Sequence, residues 1–228
     1  MQVLQEPEAI GNRLEAIAQR TGGAEMSEAA HQVEAILERV RLEGDKALLD
    51  LTERFDGVRP DPLRIPAETL AEAWRTCPSD LRSALELAHR RILDFHQRQL
   101  PRDISVSGVH GERLGRRWSP VDRAGLYVPG GRASYPSTVL MNAVPATVAG
   151  VQRLVMVTPP GPDGWPKPIV LAAAHLAGIR EIYRVGGAQA IGALAYGTDS
   201  IPRVDVISGP GNLYVTLAKK AVYGRVAI

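Results

Sequence analysis

Three polar side chains stand where an apolar run gives way to glycine: Tyr127 in "GLYVPGG", Gln189 in "VGGAQ" and Asn212 in "SGPGN". Glycine lets a ligand approach the backbone closely, and the free N–H groups and dipole of a helix that follows favour an anion such as a pyrophosphate. A phenol and two amides suit neutral groups, a ribose hydroxyl or a carboxamide, while the backbone takes the phosphate. Nucleotide binding is the chemistry this set points to. Each residue also has a plainer reading. Asn212 is placed to cap the helix "LYVTLAKKAV", Gln189 to be a solvated first-turn residue, and Tyr127 to be a core aromatic of a strand.

One familiar nucleotide mode is disfavoured and another is absent in its standard form. A phosphate-binding loop of the Walker type needs Lys-Ser or Lys-Thr after its glycines, and none of these loops has it. The dinucleotide fingerprint needs G-x-G-x-x-G in the first strand-to-helix turn and an acid ending the second strand. Here the first turn reads "PGGRAS" and the second strand ends "VMVTPP".

The loops belong to a repeated unit. From Arg123 the chain reads strand, Gly/Pro loop, helix, four times over: "RAGLYV", "VQRLVMVT", "IREIYRV" and "VDVIS" each precede a glycine- or proline-rich loop and an apolar helix. Such units build a parallel sheet with right-handed crossovers, and the uninterrupted apolar strands are those of a sheet buried on both faces. Ligands of open parallel sheets sit beyond the carboxyl ends of the strands, where all four loops must lie. The last residues, "GRVAI", read as the start of a fifth strand, and a chain stopping in mid-unit is expected to be the N-terminal part of a longer functional protein.

The first half has a different period. "SEAAHQVEAILERVRLEG" sets Val33, Ile36, Leu37 and Val40 on one stripe and stops at Gly44, and "DKALLDLTERFDG" follows to another glycine, a helical hairpin. After the break "VRPDPLRIP", the segment "PSDLRSALELAHRRILDFHQRQLP" carries Leu81, Leu85, Ala88, Ile92 and Phe95 at helical steps, with Ser79 expected as its N-cap and Pro101 as its stop. "ISVSGVHGERLGRRWSPVDR" reads as a β-hairpin. The expected fold is therefore α/β: a helical N-terminal region with a hairpin, residues 1–122, then residues 123–228 as an incomplete Rossmann-like sheet of βα units.

Composition narrows the classes further. The 228 residues are 45% apolar and 23% charged, which is ordinary for a globular chain, and no run reaches the roughly 18 apolar residues of a membrane span. The N-terminus carries acids early and has no apolar core of a secretory signal, so a cytoplasmic location is expected. Cys77 is the single cysteine, which excludes an internal disulfide and reads as a helix-end filler. Lys and Arg outnumber acids ten to five from Val121 onward, against 17 to 20 in the first 120 residues. A mildly basic second half suits an anionic ligand and equally suits ordinary surface variation, while the absence of a basic run with interleaved aromatics argues against nucleic acid.

"GLYVPGGRASYPSTVLMNAVPATVAGV", "VGGAQAIGALAYGTDSIPRVD" and "GPGNLYVTLAKKAV", with "GDKALLDLTERFDG" and "ILDFHQRQ" before them, resemble the histidinol dehydrogenases over nearly the whole chain. The resemblance implies an NAD-dependent, zinc-dependent oxidation of L-histidinol through L-histidinaldehyde to L-histidine, in a homodimer. In that family the positions matching Tyr127, Gln189 and Asn212 contact NAD. Its zinc ligands (Gln, His, Asp, His), its Glu-His acid/base pair and a "GPSE" stretch fall after the position matching Ile228, so no catalytic and no metal residue is carried onto this chain. The five histidines do not replace them: His89 and His96 lie seven apart on one helix, and His31, His110 and His175 sit in unrelated segments. The implied reading is an N-terminal portion that is inactive alone; the alternative is a non-catalytic nucleotide-binding or interaction module.

Overall fold

A computed structural model of the chain describes residues 6–18, 24–131 and 134–228. Five helices come first: α1 (Pro7–Ala18), α2 (Ala24–Glu43), α3 (Asp45–Asp56), α4 (Ala67–Thr76) and α5 (Ser79–Gln97). The hairpin strands β1 (Ile104–Ser107) and β2 (Arg113–Arg116) follow. Then come the four βα units: β3 (Arg123–Tyr127) with α6 (Pro136–Val148), β4 (Arg153–Thr158) with α7 (Pro168–Leu176), β5 (Glu181–Arg184) with α8 (Gly187–Tyr196), and β6 (Val206–Ser208) with α9 (Leu213–Val222). The expected α/β class, the hairpin and all four units are present. Arg132 and Ala133 of the first loop lie outside the described residues.

The sheet is parallel in the order β5-β4-β3-β6, with Tyr127 opposite Val157 and Gly125 opposite Ile207. Past β6 the backbone of Ala227 bonds to Asp205 and Ile207, an isolated parallel bridge beside β6 where "GRVAI" is expected to start a strand. Along the strands the side chains alternate between two cores, as the period of two requires. Val155, Val157, Tyr127, Tyr183 and Ile207 face one core with α2, α3, α8 and α9. Ala124, Leu126, Met156 and Ile182 face the other with α4, α5, α6 and α7. Packing thus crosses the boundary at which the periodicity changes: Leu37, Val40 and Leu48 from the first half are buried against Ile191 and Leu194 of α8. Each such side chain contributes about 1.5–3 kcal/mol of burial.

Some local expectations are corrected. Ser79 does not cap α5; it is the helix's first residue, and Pro78, extended and without a side-chain oxygen, holds the cap position. The helix ends at Gln97, four residues before Pro101, because Arg98 already closes the last turn. Of its apolar stripe only Leu85 is buried, Ala88 and Ile92 touch the second core, and Leu81 and Phe95 remain 44% and 60% exposed. The helix α4, hidden in a short segment after the proline-rich break, supplies Leu70 and Ala73 to that core, and Cys77 at its carboxyl end is buried there as a filler. No helix among the described residues is long and apolar enough to cross a membrane.

Glycine ends α3 sharply: Gly57 takes φ 74°, and its N–H bonds the Glu53 carbonyl. Just before it, burial at the negative end of the helix pushes the Asp56 carboxyl up to about 6 from an ordinary 3.8. The folded chain therefore holds this proton more tightly than the unfolded chain, and Asp56's contribution to stability falls as pH rises from about 4 to about 6. For Asp56→Asn, thermal melts should show a Tm advantage over the parent that is small at pH 4 and widens to a plateau by pH 7. A gap independent of pH would contradict the assignment.

Candidate functional site

The strand order makes the site. From β3 the chain proceeds outward through β4 to β5 by way of α6 and α7 on one face; α8 then carries it back across the other face to β6, on the far side of β3. The order of strands reverses at β3, and in open α/β sheets ligands occupy the crevice at that reversal. The loops after β3, β5 and β6 meet there.

Tyr127, the last residue of β3, is 4% exposed, and its hydroxyl accepts a hydrogen bond from the Gly187 N–H at 3.1 Å. That bond ties the end of β3 to the first residue of α8. Burial pushes the phenol's pKa up; the Gly187 bond opposes this, and the Asp56 charge adds to the rise. The phenol stays protonated, so its own O–H remains a donor while its oxygen is already an acceptor.

Gln189 is 1% exposed, which replaces the solvated reading with a buried one. Its side chain folds back over the start of α8, where a Cβ on Gly187 would meet its Oε1 at 2.6 Å. Gly187 has φ 64°, so both sterics and backbone require glycine there. The Oε1 has no hydrogen-bond partner among the described residues. An orphaned buried acceptor costs about 1–3 kcal/mol, which a donor on a ligand would recover.

Asn212 is exposed and caps α9, its Oδ1 accepting from the Val215 N–H at 3.1 Å. The capping reading therefore holds for the oxygen, and the Nδ2 group makes no hydrogen bond among the described residues. The preceding Gly209 has φ 116°, and a Cβ on it would lie 2.0 Å from the Tyr127 carbonyl oxygen. This glycine lets the β6 loop rest on the end of β3.

Other residues shape the cleft without having been picked out in the sequence. Lys219 donates to the Gly209 carbonyl at 2.6 Å, is half-buried, and has its pKa pushed down by that burial. It lies seven residues after Asn212, two turns along the same face of α9, and that spacing is the one signal that could have found it. Pro159 wedges between the first and third loops, 2.5 Å from where a Cβ on either Gly130 or Gly186 would sit. Its loop is anchored by Arg184, buried at the end of β5, which bonds the carbonyls of Gly164 and Pro62 and stacks over Trp165 at 4.3 Å. Nothing in the sequence marks that anchor.

Two helix starts, α8 and α9, thus flank the end of β3 with glycine backbone, one neutral donor, one unpaired acceptor, one free amide and a nearby ammonium. That inventory fits a dinucleotide: peptide N–H groups for phosphate, and Tyr127, Gln189 and Asn212 for hydroxyl or amide groups. For zinc the described residues do not fit, since no three His, Cys, Asp or Glu side chains among them gather where they could hold a metal ion.

A family model described as histidinol dehydrogenase matches residues 19–228. A histidinol dehydrogenase of Prochlorococcus marinus (strain MIT 9313) is 66% identical over 94% of this chain and 49% of its own length. That of Parasynechococcus marenigrum (strain WH8102) is 61% identical over the same shares. A crystal structure of histidinol dehydrogenase from Elizabethkingia anophelis superposes with a TM-score of 0.83 at 33% identity, covering all of this chain and 48% of that one. The chain spans about half the length of these relatives, and by the family model, the identities and the shared fold it belongs to the histidinol dehydrogenase family.

Proposed function

We propose that this chain carries the dinucleotide-binding part of an NAD-dependent oxidation of L-histidinol to L-histidine. The single observation behind the reading is the Tyr127–Gly187 hydrogen bond with the unpaired Gln189 acceptor beside it, which together leave one phenolic donor and one amide acceptor next to the first residue of α8. NAD, when bound, supplies the hydride acceptor. The chain's own residues bind and orient it: the starts of α8 and α9 take the negative charge, Gly209 and Gly187 permit close approach, and Lys219 adds a positive charge beneath the β6 loop.

Nothing among the described residues offers an acid/base pair or a metal site placed for the alcohol and aldehyde steps. The zinc, the substrate contacts and the homodimer implied by the family resemblance belong to the whole enzyme, a cytoplasmic one on this reading. The 228-residue chain by itself is proposed to bind NAD weakly, with a Kd of roughly 0.1–1 mM, and not to turn over histidinol.

Titration calorimetry tests the binding. Tyr127→Phe keeps the ring and removes the hydroxyl, and should weaken NAD about three- to tenfold. Asn212→Asp keeps an equally good N-cap while placing a carboxylate beside phosphate, so the melting temperature should hold and NAD affinity should drop at least about tenfold. Unchanged affinity in Asn212→Asp would reduce Asn212 to a cap alone.

The chain should produce no NADH from histidinol with zinc and NAD supplied. Histidinol-dependent absorbance at the NADH band would overturn the proposed division of labour.

A further inference from the structure

At the opposite end of α8 from the glycine loops lies a cavity of about 330 Å³ lined by Arg41, Ala195, Tyr196, Arg203, Gly224 and Arg225. Half of its lining is arginine, drawn from three separate segments: the end of α2, the α8–β6 connection and the turn after α9. One carboxylate, that of Glu38, acts on two of them, Arg41 and Arg225. Glu38 binds Arg41 at 2.7 and 2.9 Å and is held below the ordinary carboxylate range by Arg41 first, with Arg225 assisting.

The other two guanidiniums form no salt bridge with any carboxylate among the described residues. Each is nonetheless held in place. Arg203 donates to the Arg225 carbonyl at 3.0 Å and has its own carbonyl bound by Arg123 at 3.2 Å, and the Arg225 guanidinium lies over the Tyr196 ring at 5.8 Å. The backbone that carries Arg225 is turned by Gly224 at φ 94°, a conformation other residues rarely adopt.

Three positive groups converging on one cavity, with Glu38 beside them and backbone and aromatic contacts bracing them, leave an excess of two positive charges without a carboxylate partner among the described residues. The planar forks of arginine match phosphate oxygens two at a time. The volume lies at the small end of ligand sites. We infer that this cavity is a second, anion-binding site that takes a dianionic phosphate, either inorganic or on a small phosphomonoester. Ten residues of α8, roughly 15 Å, separate it from the proposed dinucleotide cleft, and it stands independently of that reading.

Calorimetric titration of the chain with inorganic phosphate and with a hexose phosphate, at ionic strength matched by chloride, tests it. Saturable binding of either at millimolar Kd or tighter is expected, and the comparison tells which source the cavity prefers. Arg225→Gln and Arg203→Gln should each weaken binding about tenfold. Arg90→Gln, an exposed arginine on α5, and Asn212→Asp at the glycine loop should leave it unchanged. Absence of saturable binding by both ligands overturns the inference. So does an equal loss in Arg90→Gln, which would mean diffuse charge, or in Asn212→Asp, which would put the anion at the glycine loops.

Discussion

A parallel sheet whose strands are apolar on both sides must be covered twice, and this requirement dictates where everything else goes. The helices α6 and α7 cover one face as the chain moves outward from β3 to β5. The return to β6 then has to pass over the opposite face, and α8 makes that passage with Ile191 and Leu194 buried against α2. Because α8 must cross β3, its first residues arrive beside the end of that strand, and the Gly187 N–H meets the Tyr127 hydroxyl. The site is a by-product of closing the second face: without α8 the face is open to water, and without the reversal at β3 there is no crevice.

The electrostatics of the cleft follow from the same packing. Burial keeps the Tyr127 phenol protonated and strands the Gln189 oxygen without a partner, while α9, pinned through Asn212 and Lys219, brings a second positive helix end to the same edge. Glycines are indispensable where these pieces touch: at Gly209 a side chain would overlap the β3 backbone, and at Gly187 it would displace Gln189. Tight contact and ligand access thus place the same demand on the sequence, which is why glycine-rich loops by themselves could not distinguish a turn from a binding site.

Much of this was legible in the residues. Uninterrupted strands and punctuating glycines gave the four βα units, since those signals are local. The sheet edge on which Tyr127, Gln189 and Asn212 lie also followed, from the rule for parallel sheets. What escaped was set by tertiary packing. Gln189 reads as a solvated first-turn residue, and only the folded chain shows it buried; Arg184 and Pro159 act across 20 residues or more of chain; and the stripe on α5 reads as core throughout although Leu81 and Phe95, at its two ends, are exposed. The NAD and zinc assignments came from family resemblance rather than from spacing, and no cluster of metal-binding side chains gathers among the described residues.

On the proposed function, one dinucleotide bridges the starts of α8 and α9 over Tyr127. Amide hydrogen exchange with and without saturating NAD measures this residue by residue. The expected result is added protection confined to the amides of residues 186–188 and 211–214, with the hairpin and α5 unaffected. Protection absent from both segments, or concentrated away from the ends of β3, β5 and β6, would contradict it.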